Sequence, residues 1–273
     1  MFDFSEDQIK VIKSKIDDGY RDMDIAQTIG YFKKFFVDSC PIPSDQLKGV
    51  TIGDFGCGYG WLALAFALHT DAKIIAMDID EGRVETARDL ADYFGVADRI
   101  EFRCGSLTDL PFKDDEVDIG YTIEALEHID GDTRALPELA RVCGRYLVAT
   151  TPNKWFPLIA HDTRLPFCHW LPMGMRDIYA KLCGRGEKQH GNRFLSERDL
   201  KGGFVGFERK NGFMQFPDAS SYFQQYLTYL PYNGGEIRHI GRFKKLYMSW
   251  ATRLLGRHVS AALPNLSGVW QRH

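Results

Sequence analysis

The chain has 273 residues, 44% of them hydrophobic, and a formal net charge of −3. That apolar share can build one large α/β domain, or one domain with a cap, better than two unrelated domains. The near-balanced charge argues against a general nucleic-acid binder. Six cysteines without a C-x-x-C pair argue against a disulfide framework or a zinc knuckle.

Residues 5–18 and 22–38 carry helical spacing, with Ile9, Ile12 and Ile16 and then Ile25, Ile29, Phe32 and Phe36 as apolar stripes. The start, Met1-Phe2-Asp3-Phe4-Ser5-Glu6-Asp7, lacks the basic-then-apolar order of a signal peptide, so a cytoplasmic location is expected. No apolar run approaches the roughly 20 residues that cross a bilayer. Cys40-Pro41-Ile42-Pro43 closes this section. From residue 50 the pattern alternates: strand 50–54, helix 60–69, strand 73–78, helix 82–94, strands 99–104 and 117–121, helix 131–141, strand 145–150. Such alternation predicts a doubly wound, Rossmann-like parallel sheet whose function lies at the carboxyl ends of its strands.

After Thr150-Thr151-Pro152-Asn153 the regularity fails, and 154–192 is rich in aromatics, Met, Pro and His. Content of this kind fits a segment folded over something. Trp155, Phe156, Trp170, Met173 and Met175 would line an apolar acceptor pocket or pack a cap, and His161 and His169 read as surface or satisfied residues before catalysts. Ser196-Glu197-Arg198-Asp199 offers a variant capping box, Gly202-Gly203 a stop, 204–210 a strand, 219–260 helix, and 267–271 the last strand. The expected division is an N-terminal helical segment 1–45, a cofactor-binding core 46–153, a substrate-covering insertion 154–195, and the rest of the core, 196–273, with a basic aromatic helical insertion.

The densest signal is Asp54-Phe55-Gly56-Cys57-Gly58-Tyr59-Gly60 between an apolar strand and an apolar helix. Alternate glycines remove the Cβ atoms that keep a ligand off the backbone, and the helix N-terminus faces whatever the turn holds. A dinucleotide fingerprint wants a glycine at the sixth position, where Trp61 stands, and no Gly-Lys-Ser/Thr follows for a triphosphate. Asp78 ends the second strand with a carboxylate able to accept both ribose hydroxyl protons, and Ile79 would sit beside the adenine. Gly105-Ser106-Leu107-Thr108-Asp109-Leu110-Pro111-Phe112 follows the third strand.

Together these motifs, over about 50–153, resemble class I S-adenosylmethionine-dependent methyltransferases of the small-molecule type. The resemblance implies a seven-stranded sheet, with Asp54, Gly56, Gly58, Gly60, Asp78, Ile79, Ser106, Leu107 and Thr122 as the cofactor's contacts. Ser106 stands where many relatives carry a carboxylate for the adenine amino group. Tyrosines close over the cofactor in some relatives, a role open to Tyr20 and Tyr31.

Glu124, Glu127 and His128 are spaced to share one face if their turn is helical, and two carboxylates with an imidazole invite a cation. This Glu-x-x-Glu-His turn resembles that of ubiquinone-pathway O-methyltransferases and of RNA terminal 2′-O-methyltransferases, where such positions bind a divalent ion. The RNA enzymes add a later histidine, for which His190 is suitably placed. Mg²⁺ or a similar ion on Glu124, Glu127, His128 and His190 is therefore one expectation, and a metal-free base at His128, or a structural histidine, is another. Catalytic roles are expected at His128, Glu127 and His190. The resemblance implies methyl transfer to oxygen of a small or amphiphilic metabolite; the alternatives are a metal-dependent RNA 2′-O-methyltransferase and a non-catalytic cofactor-binding protein.

From Ile237 to His273 there are seven Lys or Arg and no Asp or Glu. Ile237, Ile240, Phe243, Leu246, Tyr247, Trp250 and Leu254 recur at helical spacing against Arg238, Arg242, Lys245 and Arg253. Such a helix over 237–256 packs on its own domain or on a second copy in a homodimer, or lies on an anionic membrane. Nucleic acid is a poor partner, for no RNA-binding module is visible.

Overall fold

The computed structural model describes residues 6–16, 24–129, 134–156, 165–184, 192–211, 242–255, 259 and 262–273. Two helices, α1 (Glu6–Ser14) and α2 (Ile25–Phe32), come first, and α2 widens into a π-helical turn, Lys33–Val37. Asp24 caps α2 by accepting from the Gln27 amide, and the wide turn sends Phe35, Phe36 and Val37 all inward. The single helix expected over 22–38 is thus two pieces.

The core alternates as its periodicity predicts. It runs β1 (Thr51–Phe55), α3 (Trp61–His69), β2 (Lys73–Asp78), α4 (Glu81–Tyr93), β3 (Ile100–Cys104), β4 (Val117–Ile123), α5 (Ala135–Val142) and β5 (Cys143–Pro152). Beyond it come α6 (Met173–Leu182), α7 (Glu197–Gly203), β6 (Phe207–Asn211), α8 (Arg242–Leu255) and β7 (Asn265–Arg272). The expected helix over 219–260 is described only as α8, and the expected capping box on α7 is present between Ser196 and Asp199.

The seven strands form one sheet in the order β3-β2-β1-β4-β5-β7-β6. β1 to β5 pair in parallel, while β7 lies antiparallel between β5 and β6. Strand order reverses between β1 and β4, so the carboxyl ends of β1, β2 and β4 border the crevice where such sheets bind ligands. Helix α3 is buried along Trp61 to Ala67, wedged between α2 with its aromatic turn and the sheet, which is why it is apolar all round. The opposite face is covered by α5 and α7, with Leu136, Leu139, Leu200 and Phe204 meeting Phe55, Val117, Leu147 and Trp270. No helix among the described residues is long and apolar enough to cross a membrane.

Candidate cofactor and acceptor site

The loop after β1 is closed by its own backbone. The Gly56 and Cys57 amides both donate to the Met77 carbonyl, at 2.8 and 3.0 Å, and the Gly60 amide donates to the Cys57 carbonyl at 2.8 Å. The three glycines take φ of 81°, 53° and 74°, a region costly for residues with a Cβ. Each has a second constraint or use. A Cβ on Gly56 would lie 2.4 Å from that of Ala125 and one on Gly60 3.0 Å from that of Ala87, whereas one on Gly58 would meet nothing within 4 Å. Gly58 is therefore where the loop leaves room for a ligand.

Asp78, buried at the end of β2, accepts from the Gly58 amide through Oδ2 (2.8 Å) and from the Asp80 amide through Oδ1 (3.0 Å). Each carboxylate oxygen keeps a further lone pair, so ribose hydroxyls can still be accepted. Ile79 beside it is 73% exposed, an unusual state for isoleucine and one that a flat apolar ring would relieve. Asp54 is buried behind the loop with Oδ2 accepting from the Ala63 amide in the first turn of α3. Burial pushes its pKa up to about 7, against that bond, and the nearby Asp78 adds to the rise. Burial, with the Asp54 and Asp78 carboxylates adding to it, raises the Cys57 thiol well above the ordinary range.

At the third strand's end, the Ser106 hydroxyl is occupied locally, 2.8 Å from that of Thr108, and Leu107 is buried. Thr122 is fully buried within β4, its hydroxyl without a hydrogen-bond partner among the described residues.

The turn after β4 differs from the helical face expected of it. Glu124 has φ of 51°, and only Leu126–His128 form a turn of 3₁₀ helix, so Glu124 is not on one helical face with Glu127 and His128. Glu124 Oε1 accepts from Thr150 Oγ1 and Asn265 Nδ2, both at 2.9 Å, tying the turn to β5 and β7. Glu127 is fully buried and accepts from Thr151 Oγ1 at 3.2 Å. Burial, and then the Glu124 carboxylate, push its carboxyl well above the usual range. Among the described residues no three His, Cys, Asp or Glu side chains come together as metal ligands.

His128 faces outward, its side chain 53% exposed and its Nε2 4.0 Å from Glu127 Oε1. Its Nδ1 lies 3.1 Å from Asn192 Oδ1, and the Arg193 amide donates to the Glu127 carbonyl at 2.8 Å. The same turn walls a cleft of about 400 Å³ whose lining includes Leu126, Ile129, Leu136, Leu195, Arg193 and Arg198. His169 is buried against the Phe194 ring, with centroids 5.1 Å apart. Trp155, Trp170 and Met175 are exposed, while Phe156 is buried. Tyr31 stacks among Phe32, Phe35 and Phe36. His190, His161 and Tyr20 lie outside the described residues. Thr150, Thr151, Asn192 and Asn265 escaped the sequence reading, although the polar run at 150–153, closing an apolar strand, was a signal for the first two.

Residues 53–145 match the family described as a methyltransferase domain. The matched stretch takes in the glycine loop, Asp78 and the β4 turn. O-methyltransferase rstn1 of Aspergillus nomiae is 33% identical across 97 residues, 36% of this chain and 43% of that protein. The 27-O-demethylrifamycin SV methyltransferase of Amycolatopsis mediterranei is 33% identical across 89 residues, 33% of each chain. The match thus spans less than half the length of either relative. A solved geranyl diphosphate C-methyltransferase from Streptomyces coelicolor A3(2), in complex with Mg²⁺, geranyl-S-thiolodiphosphate and S-adenosyl-L-homocysteine, superposes with a TM-score of 0.53. It covers 89% of this chain and 76% of its own at 13% identity, a likeness of fold.

Proposed function

We propose that the chain is an S-adenosylmethionine-dependent methyltransferase acting on an oxygen of a small or amphiphilic metabolite, with His128 as the proton acceptor. The observation that carries this is one juxtaposition. A left-handed glycine loop tied to Asp78 beside an exposed Ile79 borders, at Ala125, the turn that presents His128.

Asp78 would hold the ribose, Gly58 would admit the cofactor against the backbone, and Ile79 would cover the adenine. When bound, S-adenosylmethionine supplies a methyl group on a sulfonium. That methyl would pass from sulfur to the acceptor's hydroxyl oxygen, leaving S-adenosylhomocysteine, and His128 Nε2 would take the hydroxyl proton. With Nδ1–H donated to Asn192, the lone pair sits on Nε2, the tautomer this role requires. The relatives' O-methyltransferase names support oxygen as the acceptor. The cleft beside the turn, apolar with Arg193, Arg198 and Asp199 in its lining, suits a small amphiphile.

Glu124 Oε1 is held by Thr150 and Asn265 and Glu127 is shut in the core, so no step is routed through a divalent ion. The metal-dependent RNA reading needs those carboxylates open. Titration calorimetry with S-adenosylmethionine, then transfer of labelled methyl to a panel of hydroxylated amphiphiles with and without chelator, tests the proposal. Binding and chelator-resistant O-methylation are expected. Lack of cofactor binding overturns the whole reading, binding without transfer overturns the catalytic part, and loss of transfer with chelator restores the metal.

A further inference from the structure

Helix α8 presents two apolar faces. Ala251 is buried and Tyr247 packs inward, its hydroxyl donating to the Ala262 carbonyl at 3.2 Å and its ring meeting Phe156 edge-on at 5.5 Å. The next sector holds Leu246, Trp250 and Leu254, spaced i, i+4 and i+8, which are 70%, 60% and 62% exposed. Arg242 and Arg253, both exposed, fall along the far edge of that sector, and the helix carries four Lys or Arg with no acidic residue. The single stripe expected over 237–256 is therefore split between the body and solvent.

A contiguous row of large apolar side chains left in water marks an interaction surface. Its chemistry selects among occupants. A row of tryptophan and leucine bordered by arginines on an acid-free helix matches an interfacial helix, with the apolar sector at the acyl boundary and guanidinium groups reaching back to phosphates. A second copy of the helix would set like charges together. We propose that α8 seats this protein on an anionic lipid bilayer, with Leu246, Trp250 and Leu254 entering the interface and Arg242 and Arg253 meeting lipid phosphates. The inference is independent of the methyl-transfer reading.

Sedimentation of the full chain with vesicles of phosphatidylcholine containing about 30 mol% phosphatidylglycerol tests it, with phosphatidylcholine alone as the comparison. Binding to the anionic vesicles is expected, falling several-fold as salt rises from about 0.05 to 0.5 M. Trp250→Glu and Leu246→Glu should each reduce it by about tenfold. Arg242→Gln with Arg253→Gln should weaken the anionic preference while leaving the apolar sector whole, which serves if a glutamate variant fails to fold. Absence of binding to anionic vesicles at low salt overturns the proposal, as does equal binding to neutral vesicles or unchanged binding by the glutamate variants. So does a dimer that Trp250→Glu makes monomeric in a chain that ignores vesicles. Cofactor titration of the same samples reports separately on the methyltransferase reading.

Discussion

The Gly58 amide donates to Asp78 Oδ2 across 2.8 Å, joining the turn after β1 to the end of β2 through a single carboxylate. Asp78 thus serves as a fastener of the loop and as the candidate ribose acceptor. Replacement by alanine removes a charge-assisted acceptor, a loss of roughly 1.5–3 kcal/mol in all, so affinity for S-adenosylhomocysteine should fall about 10- to 100-fold. Calorimetry checks this, and an unchanged affinity would remove Asp78 from the site.

Asp54 predicts an acid-side stability profile. Its folded pKa is raised to about 7, while the unfolded value is about 3.9. Between those values the folded chain holds a proton that the unfolded chain has lost, so this contribution declines as pH rises through the window and is flat above it. The shift corresponds to a cost on the order of 4 kcal/mol at pH 8 for the apo protein. Asp54→Asn keeps an acceptor for the Ala63 amide and sheds the charge. Its melting temperature should exceed the parent's at pH 8 and approach it near pH 4. Parallel melting curves for the two across that range would show that burial of this carboxyl is not the source.

His128 should matter to turnover and not to cofactor binding. Loss of a general base lowers kcat by about 10²- to 10⁴-fold, so His128→Ala should show this drop with near-parental affinity for S-adenosylhomocysteine. Asn192→Ala releases the ring's Nδ1 and should lower kcat less. Equal loss of cofactor affinity and kcat in His128→Ala would recast the residue as structural.

The contact of α5 with α7 sets a pair of stability predictions. A Cβ on Gly203 would lie 2.3 Å from that of Leu136, while one on Gly202 meets nothing within 4 Å. Gly203→Ala should lower stability by about 1–3 kcal/mol through overpacking. Gly202→Ala should leave it level or raise it by up to about 1 kcal/mol. Urea denaturation measures both, and similar effects from the two would contradict the close approach.

The elements that sequence reveals are those specified by near neighbours. The glycine turn, Asp78 at the end of an apolar strand and the β–α alternation all depend on residues a turn or a strand apart, and each matches its expected place. The β4 turn does not, because its shape is decided at a distance. Glu124 answers to Thr150 and Asn265, and Glu127 to Thr151, so periodicity suggested a shared helical face where the backbone at Glu124 turns left-handed. Helix α8 shows the same limit. Spacing marks Leu246, Tyr247, Trp250 and Leu254 as one apolar set, and only the body beneath Tyr247 and Ala251 divides it.

The place of β7 has a consequence for how the chain is made. Its residues, Asn265–Arg272, lie between β5 and β6, so a nascent chain that has finished β5 still has that strand as a bare edge. Glu124 likewise waits for Asn265, far downstream, before its carboxylate is fully held. The whole stretch from 153 to 264 must therefore be translated as an excursion before the sheet closes over its gap. Pairing at such separation is slow, which makes the unclosed β5 edge the interval in synthesis most open to mispairing.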